Sequence, residues 1–443
     1  MNVRAVEHVR DQVVLPIVER SWAAYTPYYA VEPYEQPPVD CKVTQVGCIQ
    51  RHGARYPTSG SGPLIQSAVA KLKSVDVYTD HRLDFLKKYT YTLGVADLVT
   101  FGALEAQLAG EMAYERYSHI VSHDKLPFVR TSGGQRVVDS AQNWTLGFSI
   151  ASGRVYEPPV SVILSESDGK NNTLDDKMCP NAGYPDEYTT IWTNIFGPPI
   201  ADRLNAQAPG AGITPEDVPS LMSLCAFDTV ATSSLSPFCQ LFSPEEFAEY
   251  EYLGDVEKYY NTGYGQRLGR VQGVGYVNEL IARLTNTPVH DTTQTNRTLD
   301  ASPLTFPLNQ TLYADFSHDN QMIAIYAAMG LFRQRKNRDL DPTRPDPERT
   351  WIASRLTPFS ARMVTERLEC DGHSSWKNDG GLEGSITSKK RSGEYVRIFV
   401  NDAIQPLEFC GGDRDQLCEL DKFVESQVYS RHDGEGDFEK CFN

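Results

Sequence analysis

Short apolar runs rich in β-branched residues alternate along this chain with longer stretches in which apolar positions recur every three to four residues. The short runs predict β-strands, and several of them end in polar or glycine-containing segments. Four such runs are Val43–Gln50, the KLPFVRT segment before Gly133, Val160–Glu166, which we expect to be a buried strand, and Thr311–Asn320, where the strand leads into a polar turn. Two more strand patterns, RLTPFSARMVTERLEC and YVRIFVNDAIQPL, close the chain.

The longer stretches carry a helical period. Leu104, Leu108 and Met112 lie four residues apart and therefore share one face of a predicted helix. Residues 169–299 contain mostly such patterns, separated by loops with Pro and Gly. Strands toward both ends and helices between them predict an α/β fold, in which a mixed central sheet flanked by helices carries a smaller all-α insertion domain.

Three parts of the chain follow from these patterns. We expect an N-terminal arm at 1–40, an α/β catalytic domain at 41–168 and 300–443 with a helical excursion at 64–122, and a mainly α-helical domain at 169–299. Residues 21–40 are rich in Tyr and Pro, and their prolines exclude a long helix. The tyrosines need either the protein body or a neighbouring subunit to pack against, and the arm is one reason to expect a homo-oligomer.

Composition changes this picture by excluding classes of partner. The formal charge of −16 argues against nucleic acid, because phosphate backbones bind basic surfaces. No run of about 18 apolar residues is present, so we expect no membrane span. Nine cysteines and four Asn-x-Ser/Thr sequons are typical of a secreted protein, outside the cell or in the cell wall or periplasmic space. The N-terminus lacks an apolar signal-peptide core, so we expect a mature form without its signal peptide. The sequons begin at Asn143, Asn171, Asn296 and Asn309.

The candidate chemistry centres on the segment RHGARYP, where His52 lies between Arg51 and Arg55. Arginine binds phosphate through a planar, bidentate fork, and histidine can attack phosphorus and then release it to water. Similar residue types end two other predicted strands: Arg130 precedes a Gly-rich turn, and His318-Asp319 follows a strand. Strand ends are where open α/β folds place their sites. The set of residues indicates phosphoryl transfer.

Four segments, RHGARYPT, FVRTSGGQRV, CAFDTVATSSLSPFC and FSHDN, resemble the histidine acid phosphatases, in the branch of fungal and yeast phytases and acid phosphatases. The resemblance spans nearly the whole chain and implies a histidine phosphatase fold. It also implies that His52 is the nucleophile and forms a phosphohistidine, and that Asp319 protonates the leaving alcohol. The residues that it implies for holding the phosphate are Arg51, Arg55, Arg130 and His318.

The physical chemistry agrees with these roles. Three arginines can stabilise the charge of a phosphoryl transition state without a metal, and no metal-ligand spacing such as HExxH or CxxC is present, so we predict neither metal nor cofactor. His52 must attack as the neutral imidazole and Asp319 must be protonated, which suggests an acidic optimum. We expect Gly53 to allow a tight turn beside the nucleophile, and we assign Arg136 a structural role.

The nine cysteines leave at least one thiol unpaired within a single chain, and the connectivity cannot be derived from sequence. The resemblance implies four disulfides. They are Cys41–Cys370, Cys179–Cys441, Cys225–Cys239 and Cys410–Cys418. Cys48 then remains free inside the apolar strand before Arg51, where we expect it to behave as a small hydrophobic residue.

The expected substrates are small phosphate monoesters, with phytate (myo-inositol hexakisphosphate) foremost. Phytases of narrow specificity carry a lysine cluster just after RHGARYPT, whereas this chain has only Lys71 and Lys73 at some distance. One alternative is therefore a broad acid phosphatase with minor phytase activity. A less favoured one is a phosphotransferase similar to phosphoglycerate mutase, which shares the RHG centre, but the sequons and cysteines argue against it.

Overall fold

The structure is a computed structural model that describes residues 20–334, 338–372 and 391–443, so the first 19 residues of the predicted arm lie outside the described residues. Its β-strands follow the predicted order. They are β1 (Cys41–Arg51), β2 (Phe128–Ser132), β3 (Val160–Leu164), β4 (Leu312–Ser317), β5 (Arg362–Asp371), β6 (Ser392–Val400), β7 (Ala403–Ile404) and β8 (Cys418–Glu419).

The strands form one mixed sheet in the spatial order β3-β2-β4-β1-β5-β6-β7, with β8 paired to β6. Strands β1 to β4 pair in parallel, and β5 joins β1 antiparallel. Because carboxyl ends of parallel strands meet at one edge, Arg51, Ser132 and Ser317 end their strands on the same side of the sheet. The predicted α/β fold with a mixed central sheet is confirmed.

Helices cover both faces of the sheet. They are α1 (Ser61–Lys73), α2 (Thr100–Tyr117), α3 (Gln135–Ala151), α4 (Glu187–Gln207), α5 (Asp217–Thr232), α6 (Pro244–Asn261), α7 (Val274–Thr285), α8 (Arg297–Asp300), α9 (Asp319–Met329), α10 (Ala353–Leu356), α11 (Leu420–Ser426) and α12 (Val428–Arg431). Side chains of successive residues in β5 point to opposite faces of the sheet and pack in two separate hydrophobic clusters. Val364 packs with Trp144 of α3, whereas Met363 packs in the cluster that contains Ile323 of α9. None of the helices in the described segments is long and apolar enough for a bilayer crossing.

Two details of the predicted strands are wrong. Val160–Leu164 is an edge strand, and Ile163 is 55% exposed, because no strand pairs with its outer side within the described residues. The polar turn expected after β4 is helical instead, since α9 begins at Asp319 directly after His318. Asp319 therefore lies in the first turn of a helix, where the helix dipole favours a negative charge.

The described part of the arm packs on the body of its own chain. Tyr28 donates its hydroxyl to Asp402, and Tyr34 donates to Glu366 at 2.7 Å. The Arg116 guanidinium lies 3.8 Å from the centroid of the Tyr34 ring, within the range of a cation–π contact. Tyr28 and Tyr34 thus find their partners within their own chain.

Four disulfides are present, and they join the same cysteines that the resemblance implies: Cys41–Cys370, Cys179–Cys441, Cys225–Cys239 and Cys410–Cys418. The first links β1 to β5 just where their pairing begins. Cys48 is free, and burial raises the pKa of its thiol to about 12, so it carries no thiolate at ordinary pH.

Candidate active site

The loop after β1 is held against β4 and α2 by its own backbone. The His52 N–H donates to the Ser317 carbonyl at 3.1 Å, which ties the loop to the end of β4. A Cβ at Gly53 would lie only 2.1 Å from the carbonyl oxygen of Gly102 in α2. Gly53 is therefore required for close backbone approach, whereas the sequence had suggested a tight turn; its φ is not positive.

Glu105 of α2 holds the same loop through hydrogen bonds to its backbone. Its carboxylate accepts the Ala54 N–H at 2.8 Å and, on its other oxygen, the Tyr28 N–H of the arm at 2.8 Å. Burial raises the pKa of Glu105 to about 7, although both backbone hydrogen bonds oppose the shift. One buried carboxyl thus joins the arm, the helix and the loop that carries His52.

His52 is presented as a neutral imidazole with a defined tautomer. Its Nδ1 lies 2.8 Å from the Gly53 carbonyl, which can only accept, so Nδ1 carries the proton and Nε2 keeps its lone pair. Burial and the charges of Arg51, Arg136 and Arg55 hold the pKa of His52 well below 6.5. An imidazole in this state is a nucleophile even in acid solution.

Arg51 and Arg55 flank the imidazole with donors that the protein leaves partly unused. Arg51 is fully buried, donates Nη1 to the Ala24 and Thr357 carbonyls, and packs 4.7 Å from the Phe359 ring centroid. Its Nε and the Nε of Arg55 lack hydrogen-bond partners among the described residues, and its Nη2 lies 3.2 Å from the Asp319 carboxylate as an ion pair. Burial lowers the pKa of Arg55 to about 10. Buried guanidinium groups with spare donors favour an anion beside His52.

Arg130 does not lie with this group. Its side chain is 1% exposed, and its guanidinium binds Asp315 at 2.9 Å and Glu279 at 2.6 Å. Arg130 and Asp315 are register partners on β2 and β4, so both side chains project from one face of the sheet rather than from its edge. The expected phosphate contact of Arg130 does not fit this placement, because two carboxylates already bind its Nε and Nη2.

Arg136 occupies the position expected for Arg130. It lies in the first turn of α3, and its Nη2 is 3.2 Å from Nδ1 of His318. Its charge is among those that lower the pKa of His52, and its Nε has no partner within the described chain. Arg136 was assigned a structural role from sequence. The sequence feature that could have identified Arg136 as a site residue is its position just after the Gly-rich turn that follows β2.

His318 is held by two neighbours on opposite sides of its ring. Nε2 lies 2.9 Å from Glu166 Oε1, and Nδ1 faces Arg136. Because Glu166 accepts and Arg136 donates, the arrangement fits a neutral ring with its proton on Nε2. Glu166 also accepts from Ser132 Oγ and the Gly134 N–H, both at 2.7 Å, which anchors it to the end of β2. The His318 ring is edge-on to His52 with centroids 5.8 Å apart.

Asp319 is an ionised carboxylate between two cations. Its Oδ2 lies 2.9 Å from Lys258 Nζ and 3.2 Å from Arg51 Nη2. Burial alone would raise the pKa of Asp319, but the charges of Arg51 and Lys258 hold it well below 3.8. Lys258, from α6, is 3% exposed and was not foreseen as a site residue. The helical segment between β3 and β4 therefore contributes a charge to the site.

The structure brings together His52, Arg51, Arg55, His318 and Asp319 at the carboxyl edge of the parallel strands. It adds Arg136, Lys258 and Glu166, whereas Arg130 lies apart from them in its ion pairs with Asp315 and Glu279. One further group lies beside them: donor atoms of Glu166, Asp175 and His318 all fall within 4.8 Å of one another, which is close enough to hold a metal ion.

Comparisons of the sequence agree with this geometry. The family model of the histidine phosphatase superfamily (branch 2) matches residues 42–401. The chain is 39% identical over 444 residues to Phytase A from Emericella nidulans, covering 96% of this chain and 91% of that protein. It is also 39% identical over 438 residues to Phytase A from Arthroderma benhamiae, covering 95% and 92%.

Solved structures support the fold. The phytase from D. castellii superposes with a TM-score of 0.76 at 23% identity, over 99% of this chain and 92% of that one. The multiple inositol polyphosphate phosphatase from Bifidobacterium longum, in complex with inositol hexasulfate, gives a TM-score of 0.64 at 15% identity, over 92% and 97%.

Proposed function

The chain belongs to the histidine phosphatase superfamily (branch 2), and from that membership we propose that its site hydrolyses phytate and other phosphate monoesters through a phosphohistidine at His52. It is a phosphoric monoester hydrolase. The observation that carries the proposal is the neutral, buried His52 with a free Nε2, whose pKa is lowered by the charges of Arg51, Arg136 and Arg55; each of these arginines has an Nε without a partner among the described residues.

In the first step the phosphoryl group lies among Arg51, Arg55 and Arg136, whose fixed positive charges stabilise the developing charge on its equatorial oxygens. His52 Nε2 attacks phosphorus in line, and the bond from phosphorus to the ester oxygen breaks. His318, fixed by Glu166, accepts a hydrogen bond from Arg136 at Nδ1 and so orients that guanidinium. The product of this step is a phosphohistidine and an alcohol.

The alcohol needs a proton, which Asp319 supplies in this proposal. Asp319 is ionised in the free enzyme because Arg51 and Lys258 neutralise it. A bound phosphate takes over part of the charge of both cations, and its own negative charge lies close to the carboxylate. Both effects raise the pKa of Asp319, so substrate binding itself favours the protonated acid. Water then hydrolyses the phosphohistidine with Asp319 as the base.

A second candidate, a broad acid phosphatase for which phytate is a minor substrate, is favoured by the lysines after the RHGARYPT segment. Lys71 forms an ion pair with Asp217 at 2.6 Å, and Lys73 donates to the Tyr89 carbonyl. Both ammonium groups thus have partners on the protein. The ratio of kcat/KM on phytate to kcat/KM on p-nitrophenyl phosphate decides between the two functions.

The test is phosphate release from phytate and p-nitrophenyl phosphate between pH 2 and 7. His52→Ala is expected to abolish turnover on both substrates. When the wild type reacts with a substrate that carries a radioactive phosphate, rapid quenching without acid is expected to trap the labelled phosphoryl group on His52. Asp319→Asn is expected to slow an alkyl phosphate far more than p-nitrophenyl phosphate, because only the alkyl alcohol is a poor leaving group. Full activity of His52→Ala, or no phosphate release by the wild type, would overturn the proposal.

The proposal includes secretion and N-glycosylation. Asn309 and Asn171 are both exposed, but the Asn171 amide donates to the Thr293 and Thr295 carbonyls and must leave them to carry a glycan. Asn309 is therefore the sequon that we expect to be occupied first, which mass spectrometry of the secreted protein would check. The homo-oligomer stays a prediction, and light scattering at neutral and acidic pH would test it.

A further inference from the structure

Three segments place metal-ligand side chains around one point beside the active site. Glu166 follows β3, Asp175 lies in the loop after it, and His318 directly follows β4. One ligand atom from each residue lies within 4.8 Å of the others, and this is the cluster of His, Cys, Asp and Glu donors that could hold an ion within the described parts of the chain. Two carboxylates and one imidazole suit zinc and similar divalent ions.

Asp175 gives an independent indication of a binding site at this point. The residue is 3% exposed, and its Oδ1 has no hydrogen-bond partner among the described residues. Buried polar atoms are nearly always paired, so an unpaired carboxylate oxygen calls for a cation or a donor. Burial, followed by the charges of Asp176 and Glu166, raises the pKa of Asp175 to about 6.

The three donors are also fixed in place. The loop that carries Asp175 is tied down because Ser317 Oγ donates to the Leu174 carbonyl at 2.7 Å and Gln321 Nε2 donates to the Thr173 carbonyl at 2.8 Å. Glu166 is held by Ser132 and Gly134, as described above. A site whose ligands are held before binding loses little conformational freedom when the ion enters.

We propose that Glu166, Asp175 and His318 form an inhibitory site for a divalent transition-metal ion, with Zn²⁺ as its best match. The ion binds Nε2 of His318, one oxygen of Asp175 and one oxygen of Glu166. The proton on Nε2 moves to Nδ1, which then donates and no longer accepts from Arg136. With a proton on Nδ1, His318 can no longer hold the Arg136 guanidinium, so the ion displaces Arg136 from the phosphate site and hydrolysis stops. The inhibition rests on the proposed function, whereas the binding does not.

The test measures binding and inhibition separately. Isothermal titration of the whole protein with Zn²⁺ in acetate buffer reports binding with no substrate present. Inhibition by Zn²⁺ is measured on p-nitrophenyl phosphate, since phytate would chelate the metal. Asp175→Asn removes one ligand charge at nearly constant shape. Asp176→Asn, the same change at the next residue, is the matched control, and each rate is expressed relative to the metal-free rate of the same variant.

We expect one Zn²⁺ per chain, with Asp175→Asn weakening both binding and inhibition by at least about 10-fold, the loss seen when a metal site loses even a supporting partner. Asp176→Asn removes a nearby charge but no ligand, so it should still bind one Zn²⁺ per chain, with affinity and inhibition changed by much less than about 10-fold. Absence of 1:1 binding, or equal affinity of Asp175→Asn and wild type, would overturn the site. Binding without inhibition would overturn its inhibitory role, and an inactive wild type that still binds Zn²⁺ through Asp175 would contradict only the proposed hydrolase.

Discussion

Replacement of Lys258 by Met tests whether the two cations beside Asp319 set the pH dependence of hydrolysis. Lys258 is buried and lies 2.9 Å from the Asp319 carboxylate, and Met preserves much of its length and apolar stem while removing the charge. Arg51 remains 3.2 Å away, so Asp319 keeps one partner. The variant therefore changes the charge around the acid with little loss of packing volume.

The magnitude follows from the geometry. One opposite charge at this range lowers a carboxyl pKa by about 1 to 3 units. This corresponds to about 1.4 to 4 kcal/mol, and the upper end matches a Coulomb energy of about 4 kcal/mol for unit charges 4 Å apart at an effective dielectric constant of about 20. Loss of Lys258 should raise the pKa of Asp319 by that amount. Since Asp319 acts in its protonated form, the alkaline limb of the kcat/KM profile should move to higher pH by about 1 to 3 units.

The assay is phosphate release from an alkyl phosphate between pH 2 and 8, with p-nitrophenyl phosphate in parallel. The shift should be large on the alkyl ester and small on the aryl ester, whose leaving group needs little protonation. Lys71→Met, which breaks the ion pair with Asp217 elsewhere on the surface, is the matched control and should leave the limb in place. If the folded Lys258→Met enzyme kept the wild-type alkaline limb on the alkyl ester, Lys258 would not control the acid.

Further predictions concern the other charged residues around the loop. Arg136→Gln should raise KM for p-nitrophenyl phosphate at least tenfold with little change in Tm, because its donors face the site. Arg130→Met should instead lower the free energy of unfolding by about 3 to 5 kcal/mol, since it leaves Asp315 and Glu279 without their shared cation; the opposite pattern in KM and Tm would contradict both placements. Glu105 binds its proton more tightly in the folded state, where its pKa is about 7, than in the unfolded state, where a pKa of 4.5 is expected. Its contribution to the free energy of unfolding is therefore complete below pH 4.5 and is lost as the pH rises through 7. Glu105→Gln should therefore flatten the dependence of unfolding free energy on pH by on the order of 3 kcal/mol between pH 4.5 and 8, measured by urea unfolding, and an unchanged slope would refute this.

Local sequence patterns predicted most of the strands and helices, but not whether each one is buried or how the chain continues after it. The apolar run before Arg51 is indeed β1, and the four-residue spacing from Leu104 falls within α2. The same reasoning placed Val160–Glu166 in the core, because a short apolar run does not report whether a partner strand covers its outer side. It also missed that α9 starts at Asp319, since a polar residue pair after a strand is compatible with either a turn or a first helical turn.

The sequence by itself determined the reacting group: RHGARYP carries His52 with two flanking arginines, and strand patterns put it and His318-Asp319 at strand ends. Only the tertiary structure decided which distant side chains complete the site. Arg130 and Arg136 lie six residues apart on either side of one turn, and the register of β2 with β4 directs Arg130 to Asp315 while α3 brings Arg136 to His318. Lys258 reaches Asp319 from a helix 61 residues earlier in the chain, and this proximity follows from packing, which no local pattern records.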